Sequence, residues 1–407
     1  MKKILNLYGL KSIKDWDDGY RYDENHLEKI ESIAEYLEGQ IASVENAVML
    51  YYMFMGQEGG GEREGRSLLS IMCELVNSAE YRQNLLFFHF TKLKLDNVVR
   101  KLSFSRFNIY LDLSSPNSYY EGVFSCLLKV TADGIAASFS KDISADLAAY
   151  RFAPIVPMIQ LFFEKYYYDK MINKMSVFSF GDQPTRDKCV AFCSNKNDYL
   201  IPDFDFLLSY GYGYERQFTI PEWDARSSLA YFRGTDTGCL HYTSIENCQR
   251  IKLALLSKKD ELYIDAAITG VQGDNQNLIA QYKNMGIFAK REPQEKIFEH
   301  KFNIDVDGNS NSWSGFFKKL LSGSVVLKVE SSEGFRQWFY NRLEPFVNYV
   351  PIKADLSDLK EKVQFLRNND LHAREIAING RELALSIDYQ SSLEYGALVL
   401  CNAFKGL

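Results

Sequence analysis

The chain has 407 residues, a length that usually folds as two domains and not around a single core. Apolar residues make up 46% and charged residues 25%, which is typical of a globular protein. The net charge of −6 provides no broad basic surface, so we expect no nucleic-acid partner.

The N-terminus carries a short apolar run, Ile4 to Leu10, which Lys11 and Lys14 end. This run is too short to cross a bilayer, which takes about 18 apolar residues. The rest of the chain contains no unbroken apolar run of that length either. We therefore expect a protein that is soluble, or at most peripheral on the inner face of a membrane.

Helical spacing of apolar residues dominates the first part of the chain. It predicts helices over residues 25–54 and 67–102, and a further helix over 145–170 that Pro154 and Pro157 break into pieces. Short strand-like runs occupy residues 107–111 and 176–180. These elements would form an N-terminal domain, residues 1–220.

From about Tyr231 the pattern alternates between strands and helices. The predicted strands cover residues 229–232, 262–268, 301–306, 324–329 and 347–352, and the predicted helices cover 244–258, 314–321 and 335–343. Such alternation indicates an α/β fold with a parallel sheet that binds ligands at the carboxyl ends of its strands. We assign residues 221–385 to this second domain and 386–407 to a C-terminal helix that could pack back on the first.

Seven cysteines lie scattered through apolar or helical segments. Their odd number and irregular spacing predict reduced thiols and a cytoplasmic protein. Cys189 and Cys193 form a CxxxC, but no second pair or histidine follows at zinc-finger spacing. We therefore expect no metal site there.

Four stretches of the second half resemble glycosyltransferase family 90. They are YFRGTDTG (231–238), IDVDGN (304–309), SWS (312–314) leading into LSGSVVLK (321–328), and WFY (338–340) continuing through Pro345 to YVPIKADLS (349–357). The resemblance implies a GT-B architecture of two Rossmann-like domains facing a cleft. It also implies metal-independent, inverting transfer of a hexose or pentose from a UDP-sugar to a hydroxyl, with no other cofactor. A glycan or lipid-linked acceptor in lipopolysaccharide, capsule or other surface polysaccharide synthesis would suit such an enzyme.

The second half also holds the residues expected to bind the donor. A diphosphate leaving group gains negative charge, which cationic side chains and backbone N–H groups at glycine turns and helix N-termini can stabilise. The residues implied are Arg233, Gly234, Thr235, Thr237, Arg250, Gly308, Asn309, Ser312, Trp313, Ser314, Lys318, Lys328 and Glu330. The alternative for Arg233 is an internal ion pair, with the glycines serving only as turns.

One position departs from the family pattern. Family members usually carry an arginine shortly after the Trp-Ser pair, where this chain has Phe316. Lys318 could compensate, although an ammonium group is a point charge and not a planar fork. The departure concerns the detail of diphosphate binding.

Inverting transfer also needs a general base for the acceptor hydroxyl. The resemblance assigns this role to Asp182, which follows an apolar strand and precedes Pro184. The alternative is an aspartate that only caps a turn before proline.

Two other functional interpretations remain open. A metal-dependent GT-A-like transferase would hold a divalent cation on an Asp-x-Asp pair, and the chain has three such pairs, at 15–17, 203–205 and 305–307. A transferase-like nucleotide-sugar-binding protein without activity is the other interpretation, which the Phe316 departure favours.

Overall fold

The computed structural model describes Leu86 and residues 100–104, 107–113, 124–140, 142–184, 186–196, 198–238 and 247–406. The chain divides into two compact units, one ending at Gly181 and including Ala397–Leu407, the other comprising Asp182–Gly396. The predicted helix 25–54 and most of the predicted helix 67–102 lie outside the described residues.

The first unit is built on a mixed sheet with the strand order β1-β2-β4-β3-β5. Its strands are β1 (Arg100–Phe104), β2 (Phe107–Asp112), β3 (Ser125–Val130), β4 (Gly134–Phe139) and β5 (Met175–Ser179). Only β2 and β4 pair in parallel, and the other neighbours are antiparallel. The short β1–β2 and β3–β4 connections are too short for parallel crossovers, so these strands form antiparallel hairpins.

Helices cover this sheet with aromatic side chains. They are α1 (Ala145–Phe152), a 3₁₀ turn (Ala153–Ile155), α2 (Val156–Lys165) and a 3₁₀ turn (Asp169–Met171). Phe152 of α1 packs edge-on against Phe139 of β4, with ring centroids 5.2 Å apart. The predicted breaks at Pro154 and Pro157 are confirmed, as are strands β2 and β5. The helix predicted over residues 67–102 is wrong at its C-terminal end, because residues 100–104 form strand β1, which pairs with β2.

The second unit begins with short elements and continues as a parallel sheet. Its strands are β6 (Val190–Ala191), β7 (Cys193–Ser194), β8 (Tyr199–Leu200), β9 (Ser227–Thr235), β10 (Ile264–Gly270), β11 (His300–Asp305), β12 (Val325–Val329), β13 (Arg336–Gln337) and β14 (Val350–Ile352). Its α-helices are α3 (Phe204–Leu208), α4 (Gly213–Arg216), α5 (Gln249–Lys259), α6 (Gln276–Asn284), α7 (Ser314–Leu321), α8 (Leu359–Asn368) and α9 (Asp370–Ser386), and the last helix, α10 (Tyr389–Lys405), begins in this unit but belongs to the first from Ala397 onward. Its 3₁₀ helices are Trp223–Ala225, Gln272–Asp274, Gln294–Glu299 and Tyr340–Arg342.

The main sheet of this unit has the order β10-β9-β11-β12-β14, and all four neighbouring pairs are parallel. Every residue of β12 is buried, as expected for a parallel strand covered on both faces. The direction of winding reverses between β9 and β11. The predicted α/β class is confirmed, and the reversal marks the crevice where such sheets bind ligands.

Two predictions fail in detail. Residues 335–343 do not form a helix but contain β13, which pairs with β7, and a 3₁₀ turn. Burial of Trp338 and Phe339 among other aromatic rings outweighs the helical spacing of this segment. The prediction of seven reduced thiols is wrong for Cys248, which is disulfide-bonded, because the spacing of cysteines in a sequence does not show which sulfurs meet in the fold. Cys126, Cys189, Cys193 and Cys401 are free and buried.

Across the part of the chain that the structure describes, no helix is both long enough and apolar enough to cross a membrane. The C-terminal helix α10 ends with Phe404 against Phe162 of α2, with ring centroids 5.2 Å apart.

A tight helix contact gives a test of the packing in the second unit. A Cβ added at Gly380 of α9 would lie 2.7 Å from the carbonyl oxygen of Asn348 and 3.2 Å from Leu320 Cδ2. We predict that Gly380→Ala lowers the free energy of unfolding by about 1–3 kcal/mol, although alanine favours a helix by about 1 kcal/mol. Urea denaturation measures the change, with Glu382→Ala on the exposed face as control. A stabilised Gly380→Ala variant would contradict this packing.

Candidate functional site

Arg250 joins the carboxyl ends of β9 and β11. This residue lies at the start of α5, and its buried guanidinium donates to the carbonyl oxygens of Thr235 (2.9 Å), Val306 (3.0 Å) and Asp307 (2.9 Å). It also donates to Thr237 Oγ1 at 2.6 Å. Arginine suits this position because its planar fork presents several donors in fixed directions. The two strand ends are thereby fixed to each other at the switch point of the sheet.

Glycines let the two loops after these strands approach closely. Gly238 has φ +91°, and a Cβ there would lie 2.5 Å from the carbonyl oxygen of Gly308. A Cβ at Gly308 would lie 2.8 Å from Thr237 Oγ1. The Gly238 N–H donates to Asn309 Oδ1 at 2.9 Å. The predicted residues Thr237, Gly308 and Asn309 therefore form one continuous contact.

Asn309 also holds Asp182, the predicted base. Its Nδ2 donates to Asp182 Oδ2 at 3.1 Å, and Gln183 Nε2 donates to the Asn309 carbonyl oxygen at 2.9 Å. The Cys193 thiol donates to the Asp182 carbonyl oxygen at 2.9 Å. The carboxylate predicted from the first half of the sequence thus lies against the loop predicted from the second half.

A polar cavity of about 330 Å³ opens beside these groups. Its lining combines the ends of β9, β11 and β12 with the first residues of α5. The lining residues are Gln183, Asn195, Thr237, Gly238, Cys248, Gln249, Asp307, Gly308, Asn309, Ser310, Ser331, Ser332, Glu333 and Phe335. Of these lining residues the sequence interpretation had predicted only Thr237, Gly308 and Asn309. It missed the others, including Gln183, Gln249 and Ser310, which are each adjacent in sequence to a predicted residue.

Below the cavity lies a buried cluster of charges. Lys328 of β12 pairs with Asp307 and, at 3.0 Å, with Asp305, while Lys319 of α7 pairs with Asp305 at 2.7 Å. Burial alone would raise the pKa of Asp305, but the two lysines hold it well below its usual range. Burial lowers the pKa of Lys319, whereas Asp307 and Asp305 outweigh burial at Lys328 and raise its pKa. Lys328 is therefore committed to these carboxylates.

The segment after β11 is shaped by its side chains. Ser312 Oγ donates to Asp305 Oδ2 at 2.9 Å, and Asn311 Oδ1 accepts from the Trp313 N–H at 2.7 Å. Trp313 has φ +49° and packs against Phe204, with centroids 5.2 Å apart. These contacts set the start of α7 at Ser314. Ser312 and Trp313 thus organise the loop.

Arg233 adopts the alternative that the sequence left open. Its guanidinium pairs with Asp265 at 2.8 Å and with Glu292 at 2.7 Å, and it lies over the Tyr231 ring. Arg233 lines a second, larger cavity of about 760 Å³, together with Gly234, Thr235 and Lys318. Lys318 in turn pairs with Glu215 at 2.6 Å. Both predicted cations of this cavity therefore have carboxylate partners.

Glu330, a predicted donor-binding residue, and Phe316, the departure from the family pattern, lie in different surroundings. Glu330 is exposed just after β12, and its carbonyl oxygen accepts from Gln249 Nε2 at 3.1 Å. Phe316 is fully buried and packs edge-on against Tyr340 and Tyr349. The residue at the departing position therefore belongs to the core, and it lines neither cavity.

The Asp-x-Asp pairs have other roles. Asp305 and Asp307 bind lysines, and Asp203 caps α3 by accepting from the Phe206 N–H at 3.0 Å. Burial, and then the charge of Asp205, raise the pKa of Asp203 to about 7. Asp15 and Asp17 lie outside the described residues. No group of three potential metal ligands occurs among the residues described.

Comparison with known proteins finds a family match for the part of the chain that contains this site. Residues 214–395 match the family described as Glycosyl transferase family 90. The matched region contains β9 to β14 and both cavities, apart from Gln183 and Asn195.

Relatives agree with that match. Protein O-glucosyltransferase 3 of Homo sapiens is 34% identical over 168 residues, which cover 41% of this chain and 29% of that protein. Protein O-glucosyltransferase 2 of Danio rerio is 31% identical over 170 residues, covering 41% of this chain and 30% of that protein. The alignments therefore span less than a third of the length of these relatives.

Two solved structures show partial likeness. The Anabaena protein HepE, in complex with UDP-glucose, superposes with a TM-score of 0.30 at 14% identity, covering 42% of this chain and 48% of that one. TarM superposes with a TM-score of 0.31 at 17% identity, covering 46% of this chain and 39% of that one. Scores of this size carry no conclusion about this chain.

Arg250 can be tested independently of any ligand. Arg250→Lys keeps the positive charge but cannot reach three carbonyl oxygens at once. Buried acceptors left without a donor each cost about 1–3 kcal/mol, so we predict that the free energy of unfolding falls by about 3 kcal/mol or more. Urea denaturation measures it, with Lys259→Ala at the exposed end of α5 as control. A loss below about 1 kcal/mol would show that Arg250 does not hold these loops.

Proposed function

Because residues 214–395 match the family described as Glycosyl transferase family 90, we propose that this chain transfers a sugar from a nucleotide-sugar donor to an acceptor hydroxyl. One observation carries the proposal. The Asp182 carboxylate is bonded to Asn309 beside a polar cavity, at the switch point of a parallel sheet. Open α/β sheets bind their ligands at such points.

We infer that the donor is a UDP-sugar whose diphosphate lies near the loops after β9 and β11. The cavity there includes Cys248 and Gln249 at the start of α5, where helix N–H groups and the helix dipole favour an anion. Asp307 lines the same cavity, and its Oδ2 atom is buried without a hydrogen-bond partner. A hydroxyl of the sugar or ribose would supply that missing donor. The relatives named protein O-glucosyltransferases favour glucose as the sugar.

Asp182 would act as the base. As the acceptor oxygen attacks the anomeric carbon, its proton passes to the Asp182 carboxylate, and the bond from that carbon to the diphosphate breaks. Attack opposite the leaving group inverts the anomeric carbon. The Asn309 amide orients the carboxylate by donating to one of its oxygens, and it remains bonded to the loop that would face the donor.

Metal-independent transfer is part of the proposal. The Asp-x-Asp pair nearest the cavity, Asp305 and Asp307, is already neutralised by Lys319 and Lys328. A divalent cation would have to displace these ammonium groups from a buried site. Backbone N–H groups at the start of α5 would then stabilise the leaving diphosphate.

Two acceptor classes have support. The first is a glycan or lipid-linked glycan of a surface polysaccharide, as the sequence interpretation expected. The second is a protein hydroxyl, which the names of the relatives favour. The Cys248 disulfide also favours the second, because disulfides persist in oxidising compartments, and it removes a premise of the cytoplasmic prediction.

The role of Asp182 gives the sharpest test. Asp182→Asn preserves size but cannot accept the proton, so transfer should fall about 10²–10⁴-fold. UDP affinity by calorimetry and the melting temperature should stay close to wild type. Asp187→Asn, in the same segment and exposed, is the matched control. Near wild-type transfer by a folded Asp182→Asn variant would remove Asp182 as the base, whereas lost stability with intact turnover would indicate a turn cap.

Metal dependence is tested separately. We expect EDTA to leave the rate of transfer unchanged, because lysines occupy the carboxylates a cation would need. The measurement is UDP release with and without EDTA, followed by addition of Mn²⁺. Activity that EDTA abolishes and Mn²⁺ restores would favour the metal-dependent alternative.

A further inference from the structure

A small cavity of about 210 Å³ lies at the opposite edge of the parallel sheet from the candidate site. Arg226 immediately precedes β9, and Gly323 precedes β12 by two residues, so both mark the amino ends of strands. Side chains of α9 complete the wall. The lining residues are Ile220, Pro221, Glu222, Trp223, Arg226, Gly323, Arg374, Ala377, Ile378 and Arg381.

Three arginines meet at this cavity. The mostly buried Arg226 donates to the carbonyl oxygens of Gly323 (2.6 Å), Pro221 (2.9 Å) and Ser322 (3.3 Å). A Cβ added at Gly323 would lie 3.4 Å from Arg381 Cδ and 3.8 Å from Arg226 Nη2, so these two side chains flank the same point. All three arginine side chains therefore line one small cavity.

None of these arginines forms an ion pair with a described carboxylate, although Glu222 and Asp370 are close enough to act electrostatically on Arg226 and Arg374. Within the described ranges, no carboxylate oxygen lies within 4.0 Å of a nitrogen of Arg226, Arg374 or Arg381, and Arg381 Nε is buried without a hydrogen-bond partner. Burial, together with the charges of Arg381 and Arg374, lowers the pKa of Arg226 to about 10, against the opposing influence of Glu222. An anion in the cavity would relieve this repulsion.

The same face of α9 carries an exposed apolar stripe. Leu371 is 85% exposed, Ile378 48% and Leu385 40%, and they follow one another at intervals of seven residues. Arg374 and Arg381 stand between them, so the five residues follow the i, i+3, i+7 spacing of one helix face. Glu375 and Glu382 lie four residues after Leu371 and Ile378, so they border the apolar stripe on the side opposite the arginines; Glu375 also lies 3.6 Å from His372.

We propose that this face of α9 lies on an anionic membrane surface, with a phospholipid phosphate held by Arg226, Arg374 and Arg381. Arginine forks match phosphate oxygens, and the exposed aliphatic side chains would enter the boundary between headgroups and acyl chains. A soluble phosphate would account for the arginines but leave the three aliphatic residues in water. The lipid accounts for both, and it would orient the opposite edge of the sheet, with the candidate active site, away from the bilayer.

The test is co-sedimentation of the full chain with vesicles of phosphatidylcholine alone and of phosphatidylcholine with 30% phosphatidylglycerol, a composition chosen to supply about one anionic lipid in three. We expect binding only to the second. Arg374→Gln with Arg381→Gln should weaken it about thirtyfold, since each arginine near an anionic surface contributes about fivefold. Lys259→Gln with Lys290→Gln makes the same change of net charge elsewhere and should weaken binding far less. Leu371→Ser with Leu385→Ser should also weaken it, without altering UDP affinity.

Three results would overturn the proposal. Folded wild-type protein could fail to bind the anionic vesicles. The lysine control pair could weaken binding as much as the arginine pair, which would indicate diffuse charge. Inorganic phosphate could raise the melting temperature of the wild type but not of the arginine variant, and the leucine variant could bind vesicles as well as the wild type does. Together these two results would identify a soluble anion as the occupant of the cavity. Sugar transfer to a soluble acceptor is measured in parallel and should be unchanged in the arginine pair and in the leucine pair. The vesicle test is therefore separate from the test of the transferase activity.

Discussion

The guanidinium of Arg250 is the constraint on which the candidate site depends. Two parallel strands diverge at a switch point, and their terminal carbonyl groups would otherwise face one another across a crevice without donors. Arg250 supplies these donors from the first turn of α5. The loops that follow can then approach within the space that Gly238 and Gly308 leave, and Asn309 can reach both the Gly238 N–H and the Asp182 carboxylate.

The buried lysine–aspartate cluster adds a second layer to this arrangement. Asp305 ends β11 and Asp307 follows it, Lys328 lies in β12 and Lys319 in α7, so the ion pairs connect three neighbouring elements. Removing any one of the two lysines and two aspartates would leave one buried charge uncompensated, which is strongly destabilising. The cluster therefore fixes the surface below the cavity and occupies carboxylates that a cation could otherwise use.

The two edges of the parallel sheet present different chemistry. The carboxyl edge offers glycine turns, amide side chains and a positioned carboxylate around a polar cavity. The amino edge gathers three arginines, none of them in an ion pair with a carboxylate of the part of the chain that the structure describes, beside an exposed aliphatic stripe. Because all five strands point in one direction, a ligand on one edge does not compete for space with a ligand on the other. The proposed sugar transfer and the proposed membrane attachment would therefore use separate surfaces of one unit.

The sequence by itself determined the alternation of strands and helices after Tyr231, the glycine turns after β9 and β11, and the proline breaks between α1 and α2. Each depends on local spacing or on residues with restricted backbones, which are visible without long-range contacts. Only the tertiary structure decided the partners. Arg233 and Arg250 were both predicted to bind the donor, yet one pairs with carboxylates and the other joins two strand ends. Phe316 reads as a lost binding residue in sequence but is buried in the core, because the rotation of α7 about its axis is set by packing.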